Sequence, residues 1–176
     1  MRNNTKIAFG GIMAALSVVC MLLSYFPYFT YAAPGVASLF VMISLIETDK
    51  KWATGVYIAS ALLILIFAEN ESRFIYLLFF GHYPILKAIF DGRFKGVILW
   101  TLKIVTFNLC VVAIYYITTA LIGFSLEEFS VFGKYGVAII VLLLNAVFVV
   151  YDIALSRMAF FYINRFHSLV KKMLKF

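Results

Sequence analysis

Charged residues are scarce in this chain of 176 residues, and their scarcity excludes an ordinary soluble domain. Only 13% of the residues are Asp, Glu, Lys or Arg, whereas 65% are hydrophobic. A soluble domain of this size needs a polar exterior, which this composition does not supply. The apolar residues also fall in long runs, which are typical of transmembrane helices. We therefore expect an integral membrane protein.

Cysteine is also rare, with two residues in the chain. Cys20 and Cys110 both lie within apolar runs and show neither CxxC nor metal-ligand spacing, so we interpret them as small buried hydrophobic residues. We expect no metal site and no cofactor. The phosphate-binding pattern G-x-x-x-x-G-K-[ST] is missing as well, so the chain is not expected to hydrolyse ATP by that route.

Six apolar segments can be drawn as transmembrane helices, given that about 20 helical residues cross about 30 Å of hydrocarbon. We predict an all-α integral membrane protein in which one six-helix bundle fills residues 1–176. The predicted spans are residues 7–26, 32–46, 52–68, 74–90, 97–124 and 135–163. The second span is short: either its helix tilts little, or the chain around Pro27 and Pro34 dips into the membrane.

The Lys and Arg residues predict the orientation. An even number of spans puts both termini on one side, where ten Lys and Arg lie in loops and tails, against Arg73 and Lys134 on the other side. Because cytoplasmic loops are enriched in Lys and Arg, we expect both termini in the cytoplasm. This distribution of basic residues explains the net charge of +7, so we expect no nucleic acid as a partner. The basic segment "RFHSLVKKMLKF" suits anionic lipid headgroups.

Four charged residues are predicted to lie in the cytoplasmic half of the membrane. A charge in hydrocarbon costs several kcal/mol unless it reaches the interface or is paired. Lys103 and Arg157 are long enough to reach the interface, whereas Asp152 is short and needs a cationic partner. Arg157 lies five positions from Asp152, which fits helical i, i+4 pairing poorly. We predict a structural ion pair between Lys87 and Asp152, with a transport role for Asp152 as the alternative.

Polar residues in the outer half form stripes. Asn108 and Tyr115 lie seven positions apart on the fifth span, and Asn145 on the sixth span is predicted at a similar depth. Such stripes turn inward because lipid offers no polar partner. They either bond between helices or contact a ligand.

The outer loops suggest a binding cavity. The first reads "SYFPYFTYAAPG", with five aromatic residues and no charge. A cavity walled by rings, with a few polar groups inside, is typical of a small-molecule site and favours a flat aromatic ligand. An interfacial aromatic belt is the alternative for the loop tyrosines. The candidate substrate-binding residues are Tyr31, Tyr76, Phe80, His82, Tyr83, Asn108, Tyr115 and Asn145.

The stretch "GHYPILK" predicts a kink in the fourth span. Pro84 cannot donate a backbone hydrogen bond, and its ring clashes with the preceding turn, where Gly81 leaves space. We expect the kink to free the carbonyl of Phe80 beside His82 and Tyr83. Such a kink either borders a binding cavity or serves packing alone.

The start of the chain, "NNTKIAFGGIMAALSVV", resembles the first helix of S components, the substrate-binding membrane subunits of energy-coupling factor (ECF) transporters. The family pattern is Ala-x-x-x-Ala, whereas this chain has Gly10-x-x-x-Ala14 and Gly11-x-x-x-Ala15. Both patterns place small residues four apart, which lets another helix approach closely. The six-helix size, the cytoplasmic termini and the aromatic first outer loop are also similar to that family.

The resemblance implies a function in a bacterial cell membrane. S components bind a vitamin or similar nutrient near the outer face, dock on a T subunit that carries two ATPases, and topple to release the substrate inward. The docking surface would be Gly10, Gly11, Ala14 and Ala15; packing within the chain is the alternative use of these residues.

Three other functions compete with this one. A structural or assembly protein has no positive signal in the sequence. An ion-coupled permease would need an acid that exchanges a proton, and Asp152 is the candidate. An intramembrane enzyme is disfavoured, because His82 and Asp152 are predicted about 13 Å apart in depth at 1.5 Å per helical residue, too far for joint catalysis.

Overall fold

The computed structural model describes residues 3–122 and 136–173. Every secondary-structure element in those ranges is helical. Arg2, Lys134, Lys175, the end of the fifth predicted span and the first residue of the sixth lie outside the described residues.

The described helices follow one another with short connections. They are α1 (Asn3–Leu22), α2 (Ala32–Glu47), α3 (Lys50–Phe67), α4 (Asn70–Ile75), α5 (Tyr83–Arg93), α6 (Gly96–Ile122), α7 (Gly136–Arg165) and α8 (His167–Met173). A 3₁₀ turn, Leu23–Tyr25, continues α1, and a π-helical turn, Tyr76–Phe80, joins α4 to α5.

Five helical units are long and apolar enough to cross a membrane: α1 with its 3₁₀ turn, α3, the unit from α4 to α5, α6 and α7. The chain therefore has the architecture of an all-α, multi-pass membrane protein. Helix α2 is apolar but has only 16 residues, or about 24 Å at 1.5 Å per residue. A sixth span at α2 and the cytoplasmic position of the termini stay predictions.

Side-chain contacts distinguish the two ends of the bundle. At the end that holds Asn3, called the terminal end, Lys6 Nζ lies 3.0 Å from Asp49 Oδ2. Asp49 also caps α3 by accepting the backbone N–H groups of Lys51 and Trp52. The Lys6 ammonium and these N–H groups hold the pKa of Asp49 below its usual range. At the opposite end, called the loop end, the Tyr25 hydroxyl donates to the Phe67 carbonyl at 3.1 Å.

Small side chains pack α1, α2 and α3 together, and these three helices are called the small-residue half. Ala14, Ala37 and Ala53 are buried in the contacts between them. The Ser17 hydroxyl of α1 donates to the Ala37 carbonyl of α2 at 3.2 Å. Small residues let helix backbones approach closely, which is how helices associate where water supplies no hydrophobic force.

Large aromatic side chains form a second core where the π-helical turn, α5, α6 and α7 meet, and these elements are called the aromatic half. Phe79, Tyr83, Phe107 and Phe148 are buried together there, with Met42 and Leu155 at the margin. Rings are rigid and do not fill space evenly, so this packing leaves cavities beside the core.

A π-helical turn interrupts the fourth predicted span. The Gly81 amide donates to the Tyr76 carbonyl, five residues back, at 2.8 Å. The carbonyl of Leu77 accepts the Tyr57 hydroxyl at 2.7 Å. A Cβ atom at residue 81 would lie 2.6 Å from the Tyr57 ring, so only glycine fits there.

Pro84 lies in the first turn of α5, where a helix does not use the missing N–H. The interruption predicted for this stretch lies in the residues before Pro84, which are the π-helical turn and residues 81–82. The Tyr57 side chain occupies the carbonyl of Leu77 there. Release of the Phe80 carbonyl stays a prediction.

Candidate functional site: an aromatic cavity beside a charge ring

A cavity of about 280 Å³ lies between the π-helical turn, α6 and α7. Tyr31 and Ile75, both near the loop end, form one side of it. Six of its lining residues are aromatic. The lining residues are Tyr31, Ile75, Phe79, Phe80, Phe107, Cys110, Val111, Ile114, Leu144, Val147, Phe148 and Tyr151.

Two helices contribute matching stripes to the wall of this cavity. Each stripe has the spacing i, i+3, i+4, i+7 that marks one face of a helix. The stripe of α6 is Phe107, Cys110, Val111 and Ile114, and that of α7 is Leu144, Val147, Phe148 and Tyr151. The π-helical turn contributes adjacent residues, Phe79 and Phe80, because its extra residue per turn changes the direction of successive side chains.

The rings in the wall contact one another in preferred geometries. Phe107 and Phe148 stack with centroids 4.6 Å apart and an interplanar angle of 8°. Phe79 meets Phe107 edge to face at 5.1 Å, and Phe80 meets Tyr151 in the same way at 4.8 Å. Edge-to-face and stacked contacts of this kind stabilise ring clusters.

The two hydroxyl groups in the wall already have partners. The Tyr31 hydroxyl donates to Glu71 Oε2 at 3.0 Å, and the Tyr151 hydroxyl lies 2.7 Å from Ser38 Oγ. No charged residue is found among the described lining residues. The cavity therefore offers rings and aliphatic surface, with little free hydrogen-bonding capacity.

The structure brings two of the eight predicted substrate-binding residues, Tyr31 and Phe80, into this cavity. Tyr76 is fully buried elsewhere, with its hydroxyl 2.8 Å from Ser60 Oγ. Tyr83 is also fully buried and donates its hydroxyl to Asp152. His82 packs against the Tyr57 ring, with centroids 5.8 Å apart. The π-helical turn explains these positions, because it turns these side chains away from the cavity.

The two asparagines form a pair between α6 and α7. Asn108 Nδ2 donates to Asn145 Oδ1 at 2.9 Å, and Asn145 Nδ2 donates to Asn108 Oδ1 at 3.1 Å. Each amide also donates to a carbonyl of its own helix. The sequence left two uses open for these asparagines, hydrogen bonding between helices and contact with a ligand. In the structure they form hydrogen bonds between helices. Tyr115 does not line the cavity either, and its ring packs edge to face against Tyr116.

Below the cavity, towards the terminal end, four charged residues form a closed ring of ion pairs. Lys87 and Asp91 come from α5, Lys103 from α6 and Asp152 from α7. Lys87 Nζ lies 2.6 Å from Asp152 Oδ1 and 3.4 Å from Asp91 Oδ2. Lys103 Nζ lies 3.1 Å from Asp152 Oδ2 and 2.7 Å from Asp91 Oδ1. Positive and negative charges alternate around this charge ring, and their sum is zero.

The charge ring contains the predicted pair of Lys87 and Asp152 and extends it. The Asp152 side chain is 4% exposed and also accepts the Tyr83 hydroxyl at 2.6 Å. The expectation that Lys103 reaches the interface is wrong: its side chain is 3% exposed and paired with two carboxylates. Arg157, by contrast, is exposed, and Asp91 was not singled out, although its i, i+4 spacing from Lys87 was a usable signal.

The four small residues of α1 do not share one surface. Ala14 is buried among Val41, Ala53 and Val56, and a Cβ atom at Gly10 would lie 3.2 Å from Val56. These two residues pack α1 against its neighbours. Ala15 is exposed, and the space around Gly11 is open. Gly10 and Ala14 are therefore not available for docking, because they pack inside the bundle. Docking through Gly11 and Ala15 stays a prediction.

Sequence reasoning missed most of the cavity wall, including Phe79, Phe107, Phe148 and Tyr151. Their helical spacing was visible, but in a membrane protein the residues that face lipid are apolar too. Periodicity of apolar residues therefore does not separate the cavity face from the lipid face. Among the residues that the structure describes, no group of three or more His, Cys, Asp or Glu could hold a metal ion.

Comparisons of the chain with family models, with characterised proteins and with solved structures found no match.

Proposed function

We propose that this chain is the substrate-binding subunit of an ECF-type importer in a bacterial cell membrane. It captures a small ring-containing molecule, a vitamin or vitamin precursor, from the extracellular side. It then delivers the molecule by docking on a T subunit that carries two ATPases. The observation that carries the proposal is the aromatic cavity near the loop end.

The distribution of basic residues supports the direction of capture. Lys and Arg are concentrated in the loops and tails of the terminal end, which predicts that this end is cytoplasmic. The loop end then faces the outside, and the cavity lies on that side of the charge ring. Tyr31, whose hydroxyl is held by Glu71, would form the outer rim.

The surface of α1 supports docking on a partner. Gly11 and Ala15 lie on an exposed face where a second helix could approach closely. Energy from a partner is also what a chain without a phosphate-binding loop would need.

An ion-coupled permease is less well supported. It would require Asp152 to release and bind a proton during transport. Asp152 instead accepts hydrogen bonds from Lys87, Lys103 and Tyr83, all of which stabilise the carboxylate. A carboxylate held in this way suits a structural role.

Binding is tested on purified protein with a panel of aromatic vitamins and precursors, by calorimetry. Ile114 lines the cavity, so Ile114→Trp should fill it and lower the affinity for the bound compound at least tenfold. Leu109→Trp is the matched control, because Leu109 is 66% exposed on the lipid side of the same helix. Equal binding by both variants would place the ligand outside the cavity and contradict the proposal.

Assembly is tested by expressing the chain together with a T subunit and two ATPases. We expect all four chains to purify as one complex, and Gly11→Leu to break the complex without changing ligand binding. Gly11 has open space around it, so this variant should fold. Uptake by the chain alone in proteoliposomes, driven by an ion gradient, would favour the permease instead.

A further inference from the structure

A second cavity, of about 310 Å³, forms a groove between α2 and α7. It lies beside the aromatic cavity and shares some of its lining residues. The residues that line the groove alone carry no ring: they are Ala32, Gly35, Val36 and Leu39 from α2 and Ala154, Leu155 and Met158 from α7.

The groove and the aromatic cavity are neighbouring spaces. They share four lining residues, Tyr31, Phe80, Val147 and Tyr151, and Phe80 and Tyr151 form an edge-to-face pair where the two spaces meet. Gly35 faces this pair, since a Cβ atom there would lie 3.5 Å from the Phe80 ring and 4.0 Å from the Tyr151 ring. A methyl group at residue 35 would therefore make ordinary contacts, whereas a larger side chain would occupy the junction between the two spaces.

The groove opens sideways, where the bilayer would be. Val36 and Met158, on its two walls, are each 45% exposed, and Val147 is 63% exposed. These three residues lie within apolar helices. In a membrane their exposed surfaces contact acyl chains, so a molecule dissolved in the bilayer can reach the groove without passing through water.

The lining defines the chemistry of the occupant. No charged residue is found among the described residues that line either space. The Tyr31 and Tyr151 hydroxyls are already bonded to Glu71 and Ser38. A charged or strongly polar ligand would lose its hydration without gaining partners, which costs several kcal/mol for each such group. The aromatic cavity has room for about nine groups of the size of a water molecule, which suits one or two fused rings.

We propose that the ligand is an uncharged molecule with a ring and an apolar chain, and that it enters the site sideways, from the extracellular half of the lipid bilayer. The ring occupies the aromatic cavity, and the chain lies in the groove between α2 and α7. This inference rests on the proposed function in one respect: the aromatic cavity is taken as the substrate site. It adds the class of substrate and the direction from which it arrives.

The test uses three probes and the full chain in lipid nanodiscs, with empty nanodiscs subtracted. The probes are 2-octylnaphthalene, 2-methylnaphthalene and n-octane, which carry ring and chain, ring alone and chain alone. Binding is measured by titration calorimetry. We expect 2-octylnaphthalene to bind once per chain and at least tenfold more tightly than either other probe.

Two variants separate the groove from the ring site. Gly35→Leu should occupy the junction between the two spaces and reduce the affinity for 2-octylnaphthalene to that for 2-methylnaphthalene, whose own binding stays unchanged. Gly35→Ala is the matched control, because its Cβ atom makes ordinary contacts and should leave both affinities as they are. Met158→Trp obstructs the groove from the α7 wall and keeps the test decisive if Gly35→Leu does not fold.

Several outcomes would overturn the inference while leaving the proposed function intact. Equal binding of the two naphthalenes, with no effect of Gly35→Leu, would show that the groove takes no part. Binding of n-octane as tight as that of 2-octylnaphthalene would mean that a lipid acyl chain fills the site. Tight binding of a charged vitamin in the aromatic cavity would contradict the proposed chemistry. Conversely, failure to assemble with a T subunit and ATPases would contradict the proposed importer function and leave the inferred ligand site untouched.

Discussion

The small-residue half and the aromatic half of the bundle are held together by different side chains. In the small-residue half, Ala37 and Ala53 are fully buried where helix backbones come close. In the aromatic half, Phe107 and Phe148 stack at 4.6 Å, and cavities of about 280 and 310 Å³ lie beside them. Small residues close the gap between helices, whereas rigid rings hold helices apart and leave space between them.

The ion pairs also differ between the halves, in how far they are buried. The small-residue half has an ion pair at its surface, Lys6 with Asp49. The aromatic half has the charge ring, in which Lys87, Lys103 and Asp152 are buried and Asp91 is exposed. Helices held apart by rings make fewer backbone contacts, and directional ion pairs can compensate for them. The comparison predicts that breaking a polar contact destabilises the half with the binding space more than it destabilises the small-residue half.

The largest effect is expected from removing one charge from the charge ring. Asp152→Asn leaves Lys87 and Lys103 buried with Asp91 as their only carboxylate. We expect the free energy of unfolding to fall by about 3–5 kcal/mol, as measured for other broken buried pairs. Denaturant titration in detergent micelles measures it.

The control for this variant restores neutrality. In Asp152→Asn combined with Lys103→Met, the remaining charges are Lys87 and Asp91, which already lie 3.4 Å apart. We expect the double variant to be more stable than the single one. If the two are equally unstable, the charges do not act as a ring and the contrast between the halves is lost.

A smaller effect is expected from enlarging a side chain in the small-residue half. Ala37 is fully buried between α1 and α2, so Ala37→Leu should lower the free energy of unfolding by about 1–3 kcal/mol through overpacking. Val111→Leu is the comparison in the aromatic half, where the added methylene enters the cavity. It should cost less than Ala37→Leu in the same denaturant titration; equal costs would show that the cavity offers no room.

The asparagine pair should contribute less than the charge ring, although it also links helices in the aromatic half. A double-mutant cycle with Asn108→Leu and Asn145→Leu isolates the coupling between them. We expect about 0.6 kcal/mol, the average for hydrogen bonds between membrane helices. A coupling energy as large as the effect of breaking the charge ring would show that neutral polar pairs stabilise this half as much as ion pairs do.

The smallest effect is expected at the surface of the small-residue half and depends on pH. Since the folded pKa of Asp49 lies below its ordinary value of 3.8, the carboxylate adds stability above that value. The contribution disappears as pH falls through the lower folded pKa. The melting temperature of the wild type should therefore exceed that of Asp49→Asn near neutral pH, and the difference should vanish in acid. Asn retains the helix cap, so a difference that persists at about pH 2 would exclude the Lys6 pair as its cause.

Some polar contacts could be predicted because lipid restricts the choices. Asp152 is too short to reach the interface, and Lys87 was the better placed of its two candidate partners. The involvement of Lys103 could not be inferred in the same way, because a lysine can either reach the interface or turn inward. Only the arrangement of α5, α6 and α7 decides between those two positions.

The positions of the site residues were harder to predict, and the fourth span shows why. Tyr76, Phe80, His82 and Tyr83 lie within eight residues, and an assumed regular helix with a proline kink placed all four near one cavity. The π-helical turn shifts the direction of the side chains, so that Phe80 lines the cavity while Tyr76 and Tyr83 bond elsewhere. A one-residue change in helical register is invisible in composition and spacing.

The amino-acid sequence by itself determined that this chain is a helical membrane protein, because long apolar runs can satisfy their backbone groups in lipid only as helices. It also determined that Asp152 needs a cation, because an isolated charge in hydrocarbon is too costly to keep. Tertiary structure alone decided which apolar faces enclose a cavity and which face lipid. Both faces are made of the same residue types, and only the packing of rings against rings separates them.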